Sequence, residues 1–258
     1  MTHLFQFLAG AGSGIAGGVL SGMFGIGGGI VLVPLLGLAL HLDQHRAQGV
    51  TLAAMLLPIG LPAVLHFRRQ GVPLRWSLVG LIVLGFFAGV LLGSEVANRI
   101  PPRPLRLIFV AFLLLVAIRT LRDSRRGEAA AAPEAPLRQL VLPGLVIGLV
   151  GGAASGLLGI GGGIVLIPAL IWWLGYSQLQ ATVTSLAVML PPIGLPGVLI
   201  YARAQGGLPW TLLAGVAVGF AAGAALGARV ALRFPVARLR LAFAALVIVT
   251  ATVLAMKA

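Results

Sequence analysis

The sequence predicts an all-α polytopic membrane protein made of two homologous halves, and three observations carry that expectation. The 258 residues are 59% hydrophobic and only 9% charged, whereas a soluble domain needs about a quarter of its residues charged to face water. Apolar runs long enough to cross a hydrocarbon core as a helix, which takes about 20 residues, recur along the chain. The second half also repeats the first: sliding Ser21 onto Ser155, a shift of 134 positions, superimposes the two halves.

Taken in order, residues 4–23, 50–67, 74–96, 104–121, 140–158, 182–201, 210–232 and 239–256 read as full-length spans. Residues 30–42 and 164–174 are apolar but too short to span alone, so about 8–10 membrane segments are expected. Residues 4–23 lack a basic leader and a convincing cleavage site, and are read as a retained helix rather than a signal peptide. The stretch 119–139 is rich in Arg, Glu, Pro and Ala and reads as a solvated connector. It divides the chain into a first repeat (1–118), a basic connector (119–139) and a second repeat (140–258).

The repeat is specific at the level of residues. SGMFGIGGGIVLVP from Ser21 to Pro34 matches SGLLGIGGGIVLIP from Ser155 to Pro168 at 11 of 14 positions. PIGLP at Pro58 recurs at Pro192, Arg69 falls on Arg203, and Trp76 on Trp210. Basic residues orient the halves. With the connector cytoplasmic, an inverted second half places twelve basic residues inside and five outside, against ten and seven for parallel halves. Inverted repeats, with both termini outside, are therefore expected.

The net charge of +13 sits between apolar segments rather than along one polar face. That pattern suits membrane orientation and argues against nucleic acid as a partner. With no cysteine, there is no disulfide framework, thiolate nucleophile or Cys metal site. His41, His45 and His66 lie at segment ends without metal-ligand spacing, and the spans are expected to hold no carboxylate. Catalytic groups are so scarce that an intramembrane enzyme is not expected, and neither is a cofactor or metal.

Chemistry is expected instead at the glycine blocks. Gly25, Gly27, Gly28 and Gly29, and their mates Gly159, Gly161, Gly162 and Gly163, each follow a long apolar run and precede a short one. Adjacent glycines weaken a helix by about 1 kcal/mol each, and interrupted backbone inside a membrane is tolerated only in protein or beside a water-filled cavity. Each block is therefore expected to break a helix and open a half-helix whose N–H groups form an anion site. The competing reading is close helix packing, which the every-fourth-residue ladders Gly10/Gly14/Gly18/Gly22 and Gly144/Gly148/Gly152/Gly156 certainly serve. A phosphate-cradling P-loop is excluded because no Lys-Ser/Thr follows the glycines.

Thr51, Thr184 and Ser185 precede the prolines of 50–67 and 182–201, which should kink those helices. Their hydroxyls are candidate substrate contacts, or else caps of helix starts. Arg69 and Arg203 could grip an oxyanion or could snorkel to the interface. Trp76, Trp172 and Trp173 read as interfacial anchors.

The doubled SG-x-x-GIGGGI-x-L-x-P block, the A-x-x-x-[TS] that follows it at Ala47–Thr51 and Ala181–Ser185, and the Arg-rich connector resemble the TauE/SafE family of sulfite exporters, over the whole chain. The resemblance implies a multi-pass bacterial inner-membrane transporter of sulfite, organosulfonates or related small anions. It places the site at the two glycine blocks with Thr51 and Ser185 nearby. The expected partners are that small anion, the lipid bilayer and a second copy in a homodimer. An alternating-access carrier is the expected mechanism, with an anion channel lined by the glycine breaks as the alternative.

Overall fold

In this computed structural model, residues 3–24, 29–56, 61–123, 136–231 and 236–256 are described. Among them are twelve helices and no strand. The first half supplies α1 (His3–Phe24), α2 (Gly29–Ala39), α3 (Gln44–Ala54), α4 (Leu61–Arg69), α5 (Trp76–Arg99) and α6 (Pro102–Asp123). The second supplies α7 (Leu137–Leu158), α8 (Gly163–Leu174), α9 (Gln178–Val188), α10 (Leu195–Ala204), α11 (Trp210–Ala231) and α12 (Val236–Met256). Four regions, in α1, α5, α7 and α11, are long and apolar enough to cross a membrane among the described residues. Large apolar side chains such as Leu84, Leu92, Leu115 and Leu142 stand more than half exposed on the outer surface. That surface is stable against hydrocarbon and not against water.

Two expectations need correction. The runs 50–67 and 182–201 are not single kinked spans. Each is split, into α3 and α4 and into α9 and α10. In the second, Pro191 and Pro192 remove consecutive backbone donors, and the chain leaves the helix from Met189 to Gly194; Pro58 of the first lies outside the described residues. The expectation that no span holds a carboxylate also fails. Glu95 lies in the last two turns of α5, exposed and paired with Arg99 at 3.1 Å.

The halves interleave. α1 packs on α11, α5 on α7, and α6 on α12, so each pairing joins the first half to the second. The first two are glycine-mediated and run parallel. Gly10, Gly14 and Gly18 meet the backbone of Leu212 to Ala224 in ascending order, and His3 Nδ1 lies 3.2 Å from Thr211 Oγ1 where both helices start. Likewise Gly144, Gly148 and Gly156 meet α5 from Leu78 to Ser94 in ascending order. Cβ atoms at these positions, Gly144 excepted, would collide with main chain, which cannot move aside as a flexible side chain can; Gly144 faces the side chains of Leu78 and Leu81. Backbone contact of this kind is how helices associate where lipid removes the hydrophobic drive.

The ends of the helices fix a second relation. α10 finishes at Ala204 beside the end of α5, because Asn98, Pro102, Ala204 and Gln205 line one polar vestibule with Asp43 and Arg46. Arg46 donates to Gln205 Oε1 at 3.1 Å and pairs with Asp43 at 3.5 Å. α11 thus starts at the end of the molecule where α5 finishes.

The ladders predict a sharp contrast. Gly89→Leu, whose added atoms meet Leu149 and Ala153 main chain, should lower stability by about 1–3 kcal/mol. Gly80→Leu, where nothing lies within 4 Å, should stay within about 0.5 kcal/mol. Unfolding curves in detergent decide it, and equal losses would refute the packing account.

Candidate functional site

The site is built around the end of α7. This helix stops at Leu158, and Gly159 turns the chain with φ 70°, in the left-handed region. Gly161 follows at φ 59°, so two of the three residues between Leu158 and Gly162 need a conformation that side chains resist. α8 then begins at Gly163. Residues 160–163 are buried.

Three carbonyls at the end of α7, those of Ser155, Gly156 and Leu157, are met. Gly159 N–H donates to Ser155 O at 2.7 Å, as a left-handed C-cap does. Gln48 Nε2 donates to Leu157 O at 3.0 Å. The Tyr201 hydroxyl, fully buried, lies 2.7 Å from Gly156 O and 2.9 Å from Gln48 Oε1 and donates to that acceptor pair. Gln48 comes from α3 and Tyr201 from α10, so both halves hold one helix end. The N–H groups are treated differently: among the described residues, those of Ile160, Gly161 and Gly162 donate to no backbone carbonyl. Buried N–H groups just ahead of a helix start favour negative charge.

The other half's glycine block reaches the same spot. A Cβ on Gly29 would lie 2.6 Å from Gly159 O and still closer to Ile160. The two blocks therefore touch at Gly29; Gly25, Gly27 and Gly28 lie outside the described residues.

Helix α3 lies across the break with Gln48, Thr51, Leu52 and Met55 on one stripe, at the i, i+3, i+4 and i+7 spacing of a helix face. A Cβ on Gly159 would meet Gln48 at 2.8 Å, and one on Gly161 would meet Met55 Sδ at 2.9 Å and Met189 Cε at 3.2 Å. Leu52, Met55, Phe86, Ser155, Gly161, Met189, Ile193 and Gly194 enclose a small cavity whose room for water-sized occupants is about 20 Å³. Phe86, fully buried, closes against Gly162. The Ser155 hydroxyl on this wall is buried with no hydrogen-bond partner, as are those of Thr51 and Thr184. Buried hydroxyls left unpaired cost about 1–3 kcal/mol each, a cost that a polar ligand or water would relieve.

The predicted residues can now be placed. Thr51, Thr184 and Ser185 are buried inside α3 and α9 and do not cap them. The caps are the repeat-matched Asp43, accepting from Arg46 N at 2.8 Å, and Ser177, in a reciprocal capping box with Gln180. Gly159, Gly161, Gly162 and Gly163 sit at the break. Arg69 and Arg203 are not at it: both are exposed in the last turns of α4 and α10, where cations suit a helix C-terminus. Trp76 packs under Arg68 at 5.8 Å and is half exposed.

Six residues at the break escaped the sequence reading: Gln48, Met55, Phe86, Ser155, Met189 and Tyr201. A signal existed for three. Ser155 stands in the repeated glycine block, and Met55 falls on Met189 under the same 134-residue shift.

A helical protein with these apolar spans and a broken helix at its centre is a multi-pass membrane protein of the transporter class. The sequence profile described as "Sulfite exporter TauE/SafE" matches residues 10–254. The chain is 30% identical over 214 residues to "Probable membrane transporter protein YdhB" of Bacillus subtilis, covering 82% of this chain and 85% of that one. It is 31% identical to a "Probable membrane transporter protein" of Xylella fastidiosa strain 9a5c over 86% of this chain and 84% of the relative. A third relative, from Methanocaldococcus jannaschii, is 29% identical over 73% of this chain and 69% of its own. No solved structure matches. The chain belongs to the sulfite exporter TauE/SafE family and is a membrane transporter.

The clasp at the end of α7 makes a prediction of its own. Tyr201→Phe leaves Gly156 O with only the Ser94 hydroxyl at 3.5 Å and should lower stability by about 1–3 kcal/mol. Denaturation in detergent measures the loss, and a variant as stable as the parent would show that the hydroxyl is not needed there.

Proposed function

We propose that this protein is a secondary carrier of small sulfur-containing anions, such as sulfite or organosulfonates, in the cytoplasmic (inner) membrane. It works by alternating access between two inverted halves. The observation that carries the reading is the junction at Gly29 and Gly159–Ile160, where the glycine blocks of the two halves meet beside N–H groups that serve no helix. Paired interruptions in matching positions are the usual sign of a transport site.

Charge supports the sign of the substrate. Asp43 and Glu95 are exposed and each is paired with an arginine, and no group of three or more His, Cys, Asp or Glu able to hold a metal occurs among the described residues. Among the described residues that line the cavity a cation would find no charged side chain, whereas an oxyanion finds the unpaired Ser155 hydroxyl, with the buried hydroxyls of Thr51 and Thr184 in the surrounding helices. The printed description of the family, sulfite exporter, points to the same substrate class.

Topology supports inversion. α7 is the repeat mate of α1 and runs parallel to α5, while α11, mate of α5, runs parallel to α1. Since α11 starts where α5 ends, α1 and α7 run in opposite directions. That is the relation a pseudo-two-fold axis in the membrane plane requires, and it lets one set of helices rock against the other about a fixed site.

Gly161→Val tests the reading. It forces a β-branched side chain into a left-handed position at a cost of about 1–3 kcal/mol and into the methyl end of Met55. In proteoliposomes the parent should show saturable sulfite counterflow, and the variant, inserted and monodisperse, should show almost none. Undiminished counterflow by the variant would sink the proposed site; single-channel currents from the parent would replace the carrier by a channel.

A further inference from the structure

Met55 and Met189 are matched by the 134-residue repeat, yet neither is explained by helix formation or by the clasp at α7. Each is the C-terminal cap of a half-helix, Met55 of α3 and Met189 of α9. From opposite halves, their methyl ends converge on one point, the place a Cβ on Gly161 would occupy. Both line the small cavity at the break, and both are only partly buried, unlike Phe86 and Ser155 beside them.

The size of that cavity decides what the pair does. Room of about 20 Å³ holds one water molecule, and a sulfur oxyanion of four or more heavy atoms is several times larger. A substrate can occupy the site only if part of the wall withdraws. Phe86 is a fully buried ring, Ile193 is branched at Cβ, Leu52 is buried and Gly161 and Gly194 are main chain. Methionine, unbranched with three rotatable side-chain bonds, is the element of this wall that can change shape at small cost.

We propose that Met55 and Met189 are the specificity-determining residues of this site: a movable thioether pair, one from each half, that sets the largest anion admitted and seals the cavity between transport steps. The proposal rests on the carrier reading above and adds to it the residues that select by size. The same cavity is lined by Ser155, whose hydroxyl is unpaired, and by Gly161, so an anion would turn its oxygens to these and its bulk toward the sulfurs. A substitution of the pair therefore changes which anion passes more than whether anions bind.

Two measurements test this, and the absence of cysteine from the chain makes the first clean. In the double variant Met55→Cys/Met189→Cys, a short bifunctional methanethiosulfonate should bridge the two positions in purified protein and stop sulfite counterflow, and dithiothreitol should restore it. Failure to bridge in folded protein, or full flux in the bridged protein, overturns the proposal. In the second, Met55→Ala and Met189→Ala should raise benzenesulfonate uptake relative to sulfite by about tenfold, the scale on which pocket volume discriminates. Met→Leu variants, which keep the volume, should leave the ratio near that of the parent. An unchanged ratio in both alanine variants also overturns the pair as size selectors. If the parent moves neither anion, the carrier reading for these substrates fails, and bridging alone, which needs no transport, still decides whether the two ends meet.

Discussion

The structure depends on how the interruption of α7 at Gly159 is satisfied. A helix that stops inside a membrane protein exposes carbonyls at its end and N–H groups where the next helix starts, and lipid offers neither a partner. Here the two sets have different fates. The carbonyls of Ser155, Gly156 and Leu157 are bonded by Gly159 N–H, Tyr201 and Gln48, while Gly161, beyond the break, lines a cavity together with the unpaired Ser155 hydroxyl.

The same junction explains why the halves cannot be taken apart. Gln48 reaches the second half's break from α3, and Gly29 lies against Ile160. The glycine ladders repeat this dependence along the helices, pairing α1 with α11 and α5 with α7 by main-chain contact. Backbone approach at that range is rigid, because nothing on either surface can adjust. Flexibility is left to the side chains of the cavity wall, and methionine is the type that supplies it.

Much of this was legible in the residues. Hydropathy located the long helices to within a few residues, and the glycine blocks marked where α7 gives way to α8. Two features were not legible for a physical reason. Hydropathy averages over a window, so the short interruption from Met189 to Gly194, itself mostly apolar, vanished into one apparent span. Three-dimensional convergence leaves no local trace, so Gln48 and Tyr201, 153 positions apart, read as an ordinary polar residue and an ordinary aromatic. Arg69 and Arg203 present the opposite case. Charge in an apolar sequence draws attention, but their places at helix ends need only the dipole and water.

The clasp also breaks the symmetry that the repeat suggests. Under the shift of 134, Tyr201 corresponds to Phe67 and Gln48 to Thr182. Phenylalanine has no hydroxyl to donate, so the hydroxyl contacts that Tyr201 makes with Gly156 O and Gln48 Oε1 have no counterpart from that position. The end of α7 is bonded to both halves through side chains, Gln48 of the first and Tyr201 of the second. Positions 48, 67, 182 and 201 are thus where the two repeats, alike in their glycine blocks, differ in hydrogen-bonding chemistry.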